Sequence, residues 1–167
     1  MIELRPFVPE NESIMLDILT DSRVKQTYML PDFCRKQDAS PLFARLMALS
    51  LDENHFVRGI FLDDQLIGFL NDVEIKNRAI EIGYVIHPAF QGCGHMTTAL
   101  RLAIQKLFAL GYHCIVAGAF EENAASLRVM EKCGMRRSDY TDCVEYRGLS
   151  RQCVYYSITK GDIHAEL

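Results

Sequence analysis

The alternation of apolar and polar positions along the chain predicts an α/β fold. Segments with a period of about two predict seven strands, at 2–8, 55–62, 66–75, 79–87, 113–120, 135–146 and 151–159. Apolar spacing with a period of about 3.6 predicts four helices, at 12–19, from 40–41 onward, at 97–110 and at 123–133. The element order β-α-α-β-β-β-α-β-α-β-β therefore indicates a mixed, mostly antiparallel central sheet of about seven strands flanked by about four helices.

Short polar segments predict the turns and the helix ends. The predicted hairpin turns are Asp63-Asp64, Lys76-Asn77-Arg78 and Arg147-Gly148. Ser40, followed by proline, is predicted to be the N-cap of the second helix. Gly134 is predicted to be the first residue beyond the last helix.

Length and composition indicate one globular domain, residues 1–167. Hydrophobic residues make up 49% of the chain and charged residues 24%, which is ordinary for a folded domain. The apolar runs are far shorter than the roughly 20 residues of a membrane span, and the first residues do not resemble a signal peptide. We therefore expect a cytoplasmic protein with no membrane partner.

The charge and the cysteine pattern exclude further classes of function. A net charge of −4 does not favour sequence-independent binding to nucleic acid, so no nucleic-acid partner is expected. The acidic balance is compatible with cationic substrates such as amines. No pair of the six cysteines is spaced CxxC, and the histidines form no HxxxH pattern, so no metal site is expected. We expect reduced, mostly buried thiols.

The loop at residues 90–96 is the first candidate for chemistry, because it joins a predicted strand to a predicted helix. Gly92 and Gly94 allow positive φ and close approach of the backbone to a ligand. The helix N-terminus adds unpaired N–H groups and partial positive charge, and the combination predicts a pyrophosphate cradle. A Rossmann loop would need glycine where Thr97 stands, and a Walker loop would need a lysine that is absent. A purely structural strand-to-helix turn remains an alternative.

This segment resembles motif A of the GCN5-related N-acetyltransferase (GNAT) family. The resemblance lies in the strand that stops at Pro88, the pattern Gln91-x-x-Gly94-x-Met96, and the helix that follows. Met96 departs from the family's pattern, which usually has a small residue at this position.

A second resemblance lies downstream. Asn123-x-x-Ser126 with Lys132-Cys133-Gly134-Met135 is similar to the family's motif B, although Met130 stands where many relatives carry a tyrosine general acid. The amino-acid sequences of residues 81–88 and 155–158 resemble those of the subgroup that contains the ribosomal-protein N-terminal acetyltransferases.

The resemblance implies the GNAT fold, acetyl-CoA as cosubstrate, and direct attack of a primary amine on the thioester in a ternary complex. The residues that it implies for cofactor binding are Val85, Ile86, His87, Gln91, Gly92, Cys93, Gly94, His95, Met96, Thr97, Asn123 and Ser126. The implied acceptor is a protein or peptide α-amine, on a monomer or homodimer of the enzyme. A small-molecule amine (polyamine, amino acid or antibiotic) and a catalytically silent acyl-CoA-binding protein are alternatives.

Two residues are candidates for proton transfer. Glu81 is an acid in an otherwise apolar strand. A partly buried carboxylate tends to rise in pKa and can accept a proton, often through water, so Glu81 is the candidate base. A salt-bridged or edge-exposed glutamate is the alternative. The family resemblance implies that Ser126 protonates or stabilises the leaving thiolate, with Tyr84, Tyr155 and Tyr156 as alternative donors.

Overall fold

The computed structural model describes residues 1–164; residues 165–167 of the expected single domain lie outside that range. The strands are β1 (Ile2–Arg5), β2 (Arg58–Leu62), β3 (Gln65–Lys76), β4 (Ala79–Ile86), β5 (Cys114–Phe120), β6 (Arg136–Tyr146) and β7 (Leu149–Thr159). The α-helices are α1 (Glu12–Thr20), α2 (Ser22–Thr27), α3 (Ser40–Leu51), α4 (His95–Ala109), α5 (Ala124–Lys132) and α6 (Lys160–His164). Short 3₁₀ turns occur at Pro9–Asn11, Lys36–Ala39 and Pro88–Phe90.

The strands are hydrogen-bonded in the order β1-β2-β3-β4-β5-β7-β6. Strands β1 and β2, and β2 and β3, are antiparallel. Strand β4 is parallel to β5, and β7 is antiparallel to both β5 and β6. The predicted mixed, mostly antiparallel sheet of seven strands is therefore confirmed.

The three predicted hairpin turns are confirmed by pairs of residues with positive φ. The angles are 47° and 70° at Asp63 and Asp64, 50° and 59° at Asn77 and Arg78, and 53° and 75° at Arg147 and Gly148. Two consecutive positive φ values are typical of the type I′ turn, whose twist matches that of paired strands.

The helix ends agree with the sequence in one case and differ in another. Gly134, with φ of 79°, follows the C-cap Cys133 as predicted. The prediction of Ser40 as an N-cap is wrong, because the 3₁₀ turn at Lys36–Ala39 runs directly into α3 and leaves Ala39 at the cap. Two of the six helices within residues 1–164, α2 and α6, were not predicted, because they are too short to show an apolar period.

The described chain forms two compact units. The first comprises Met1–Asp72 and Tyr84–Ala99, and the second comprises Val73–Gly83 and the chain from Leu100 onward. In the first unit, helices α1 to α3 pack an apolar cluster that includes Ile18, Phe43, Phe69 and Val85. The end of β4 is therefore fixed by the same cluster that holds the helices.

In the second unit, burial alternates along the first half of β4. Ile80 and Ile82 are fully buried, as are Leu107 and Ile115 of neighbouring elements, whereas Glu81 is half-buried. The alternation follows from the strand's period of two, which places Glu81 on the face opposite to the two isoleucines.

All six cysteines are free thiols, but the expectation that most are buried is wrong. Cys34, Cys93 and Cys143 are exposed, since they lie in a loop, in the glycine-containing turn and on the solvent-facing strand β6. None of the helices within residues 1–164 has both the length and the apolar character needed to cross a bilayer.

Candidate functional site

Three of the predicted cofactor-binding residues lie where β4 ends. Val85 is buried, and Ile86 and His87 are half-buried. The His87 N–H donates to the Ile67 carbonyl at 2.7 Å, which ties this end of β4 to β3. The His87 ring accepts from the Ala89 N–H through Nδ1 at 3.1 Å, so its side chain caps the 3₁₀ turn that follows the strand.

The loop after this turn depends on two glycines. Gly92 and Gly94 have φ of 77° and 79°, a region that residues with a side chain rarely adopt. A Cβ on either glycine would meet no heavy atom within 4 Å. The glycines are therefore required by backbone conformation rather than by crowding, and the space beside them is open.

The loop presents a run of backbone donors at the start of α4. Within residues 1–164, the N–H groups of residues 92–96 donate no hydrogen bond to the protein, whereas the Gln91 N–H donates to Pro88 and the Thr98 N–H to Gly94. Helix α4 begins at His95, two residues before the predicted start, so these donors lie at its N-terminus. Unpaired N–H groups and the helix dipole together favour an anion, and this fits the pyrophosphate of CoA.

The side chains of the loop contribute little to this arrangement. Cys93 is exposed, and its thiol contacts the Gln91 carbonyl at 3.6 Å. The Gln91 amide lies 3.5 Å from the Ile86 carbonyl. Met96, which begins the buried face of α4, is itself buried. Both Cys93 and Gln91 therefore contact the backbone of the loop or of the preceding strand.

Two predicted residues meet at the start of α5. Asn123 is the N-cap, and its Oδ1 accepts the Ser126 N–H at 3.2 Å, as is common for asparagine at the start of a helix. Ser126 is half-buried in the first turn, and Met130 is fully buried one turn later. The cap uses the backbone of Ser126, and its hydroxyl is not part of that bond.

A cleft of about 510 Å³ lies on the Glu81 face of the second unit. It is formed by β3 to β7, and its lining includes the polar side chains of Glu74, Glu81, Tyr140 and Tyr155. Cys114, Tyr156, Ser138 and Ser157 also line it, and so does Lys76. The cleft is large enough for a small amine or the end of a peptide.

The environment of Glu81 raises its pKa. Burial is the main cause, and the negative charge of Glu74 adds to it. Neither carboxylate forms an ion pair or hydrogen bond within residues 1–164, so the salt-bridged alternative for Glu81 does not describe this site. Burial, followed by the charge of Glu81, raises the pKa of Tyr155 to about 12. Tyr155 therefore stays protonated at neutral pH beside an acid with a raised pKa.

The sequence analysis did not single out Glu74 and Tyr140, which line this cleft, or Gly118, which lies against the Tyr155 ring. Gly118 carried the strongest signal, because a glycine inside an apolar strand often marks a close approach by another group. Glu74 alternates with apolar residues on β3, a pattern shared by many solvent-exposed strands.

The sequence matches the acetyltransferase (GNAT) domain family over residues 2–136. Two relatives come from Bacillus subtilis (strain 168). The probable N-acetyltransferase YjcK is 40% identical over 92 residues, which are 52% of this chain and 50% of YjcK. The putative ribosomal N-acetyltransferase YdaF is 31% identical over 119 residues, which are 69% of this chain and 65% of YdaF. The chain thus spans less than two thirds of either relative.

A solved structure shows the same fold. RimL, a ribosomal L7/L12 α-N-protein acetyltransferase solved in complex with coenzyme A, superposes with a TM-score of 0.82 over 95% of this chain and 93% of its own, at 18% identity. The family match covers most of the sequence. The chain belongs to the GNAT acetyltransferase family, whose cosubstrate is acetyl-CoA.

Proposed function

We propose that this chain is an acetyl-CoA-dependent N-acetyltransferase that acts as a single domain on a primary amine. The observation that carries the proposal is the run of backbone N–H groups at residues 92–96, which are directed to no acceptor within the described chain. A family member that had lost acetyl-CoA would have no need to keep Gly92 and Gly94 at positive φ.

Acetyl-CoA supplies the activated acetyl group, and the chain's residues bind and orient it. The N–H groups of residues 92–96, with Thr97, bind the pyrophosphate. The backbone of Val85, Ile86 and His87 holds the pantetheine arm, and one N–H there polarises the thioester carbonyl. The Asn123 amide adds a contact to the same arm while its oxygen caps α5.

Two groups of the chain move protons in this proposal. Glu81 accepts the proton of the attacking amine, directly or through water, and its raised pKa makes it a better base than an exposed glutamate. Ser126 donates a hydrogen bond to the departing thiolate. Met130 is buried and has no acidic proton, so it cannot be the donor.

We propose a protein or peptide α-amine as the acceptor. The support is the sequence similarity to YdaF, a putative ribosomal N-acetyltransferase. The amino-acid sequences of β4 and β7, which resemble those of the ribosomal-protein N-terminal acetyltransferase subgroup, add to it. The likeness to RimL rests on 18% identity and bears on the fold alone. A small-molecule amine is the alternative acceptor, and the same assay distinguishes the two.

The test combines binding with turnover. Acetyl-CoA should raise the melting temperature, and NAD should not. Release of CoA thiol should then require both acetyl-CoA and an amine, with a panel of peptides, polyamines, amino acids and aminoglycosides as acceptors. Stabilisation by acetyl-CoA without thiol release on any amine would support a silent acyl-CoA-binding protein instead. Stabilisation by NAD but not by acetyl-CoA would contradict the proposal.

A further inference from the structure

The ring of Tyr155 lies against the backbone of the neighbouring strand. Tyr155 of β7 is paired with Gly118 of β5, and a Cβ on Gly118 would lie 2.8 Å from Cε1 of the ring and 3.0 Å from Cδ1. Gly118 does not have a positive φ, so its backbone conformation does not demand glycine. The missing side chain is what allows the ring to take this place.

A second tyrosine packs on the first. The rings of Tyr140 and Tyr155 lie 5.2 Å apart between centroids, at 44° to each other. Both side chains line the cleft that contains Glu81. Tyr140 is 61% exposed, so the pair forms an aromatic surface that is open to a ligand. Such a surface attracts a cation by its π electrons.

The charged side chains of the cleft also favour a cation. Glu74 and Glu81 carry two negative charges, and Lys76 carries one positive charge. Within residues 1–164, none of the three is in an ion pair. The cleft therefore keeps a net negative charge next to an aromatic surface. An ammonium is attracted by both features, whereas a carboxylate next to the reacting nitrogen is repelled by the glutamates.

We infer that Tyr140, Tyr155 and Glu74 select the acceptor: they bind a primary amine in its ammonium form and disfavour an amine with a free carboxylate on the adjacent carbon. The inference rests on the proposed function, because Glu81 is the proposed base in the same cleft. It narrows the acceptors to peptide N-termini and alkylamines and excludes free amino acids as good substrates. Glu81 then removes the proton from the ammonium that the cleft has captured.

The experiment uses L-alaninamide and L-alanine, which differ in the carboxylate. Because their amines also differ in pKa, the test is how the ratio of kcat/KM for the two acceptors changes between variants. Glu74→Gln should lower the amide-to-acid ratio about threefold, a modest factor because Glu74 is exposed and screened by solvent. Lys76→Gln should raise it by a similar factor. Glu145→Gln, an exposed carboxylate on β6 outside the cleft, is the matched control and should leave the ratio unchanged.

The aromatic part is tested with two variants of Tyr155. Tyr155→Leu should raise KM for alaninamide about threefold more than Tyr155→Phe does, because leucine removes the π surface and phenylalanine keeps it. Binding of both ligands, followed by ligand-observed NMR, gives the same comparison without turnover.

The inference would be overturned if Glu74→Gln left the ratio of kcat/KM unchanged. It would also be overturned if the wild-type protein had equal kcat/KM for alanine and alaninamide, or acetylated neither. Failure of the proposed function has a different signature, namely no thiol release on any amine of the full panel.

Discussion

Gly118 lies directly opposite Tyr155 in the β5–β7 pair, and the Tyr155 ring occupies the space that a side chain on Gly118 would fill. The ring thus rests on the backbone of β5 and faces the cleft with Glu81. A side chain whose position depends on one missing methyl group gives a direct test of the geometry.

Gly118→Ala should destabilise the protein by about 1–3 kcal/mol, because the new methyl group forces the ring from its place. In the Tyr155→Ala background the same change should cost far less, since the methyl group then has room. Thermal or urea unfolding of the four proteins measures the coupling. Equal costs in both backgrounds would mean that the ring does not rest on Gly118.

Gly94→Val should abolish the stabilisation of the protein by acetyl-CoA. A β-branched residue at φ of 79° is strained by about 1–3 kcal/mol, and the backbone would shift its N–H groups. The wild-type protein should gain about 2.7 kcal/mol in its free energy of unfolding at a hundredfold excess of ligand over Kd.

Gly148→Val is the matched control, because Gly148 also has positive φ and open space but lies in the β6–β7 hairpin turn. The control should lose comparable stability and keep the acetyl-CoA response; loss of the response in both variants would contradict a specific role for Gly94.

Glu81→Gln should change the dependence of stability on pH. Burial and Glu74 raise the pKa of Glu81 above the ordinary 4.5, so the folded protein binds this proton more tightly than the unfolded chain does. Wild-type stability should therefore fall as pH rises from about 4.5 through the raised value, and the variant should lack this loss. The melting temperature of Glu81→Gln relative to wild type should rise between about pH 4 and pH 8. A difference that does not vary with pH would show that the pKa of Glu81 is not raised.

Most of the fold could be predicted because its elements are long and periodic. Strands such as β6 and β7 extend over 11 residues each, and their turns carry residues that tolerate positive φ. Helix α2 has only six residues and is held by Asp21, which accepts from the Arg23 and Val24 N–H groups. A helix of less than two turns buries too few residues to show a period.

The candidate site divides in the same way. Residues 91–97 and Asn123 could be found from the sequence, since glycine spacing and helix caps act over a few neighbouring positions. Tyr140 lies on a strand that is far from Glu81 in sequence, so only the order of the strands places it in the cleft, whereas Glu74 lies just across the β3–β4 hairpin turn from Glu81. The burial of β4 shows the same limit: alternation along the strand does not indicate that Val85 is buried while Tyr84 and Ile86 are half-buried, because this depends on the packing of α1 to α3 against Val85.

Ser126→Ala should lower kcat by about 10–100-fold with a smaller effect on KM for acetyl-CoA, as expected for loss of a proton donor to the leaving group. The helix should stay intact, because the cap bond to Asn123 uses the backbone N–H of residue 126. Asn123→Asp keeps the capping oxygen and loses the amide, so it should raise KM for acetyl-CoA and leave kcat nearly unchanged. Steady-state kinetics and melting curves of both variants measure these effects. An unchanged kcat in a folded Ser126→Ala protein would transfer the donor role to a tyrosine or to water.

Raising the pH should rescue Glu81→Gln to a degree that depends on the acceptor. The attacking amine must be neutral, and with reference pKa values of about 8 for an α-amine and about 10.4 for an alkylamine, about a tenth of the first but only about one part in 2,500 of the second is neutral at pH 7. The groups that share the cleft with Glu81, and so shape its titration, are Glu74, Lys76, Cys114, Tyr140, Tyr155 and Tyr156. With a peptide α-amine, kcat/KM of the variant should recover almost fully by about pH 9, because solution then supplies the neutral amine. With an alkylamine, the loss at pH 7 should be larger and the recovery at pH 9 incomplete.

Glu74→Gln removes one of the two causes that raise the pKa of Glu81. With Glu81 present, this substitution should therefore move the rising limb of the profile of kcat/KM against pH to lower pH. Superimposable profiles for wild type and Glu81→Gln on both classes of acceptor would show that Glu81 is not the base.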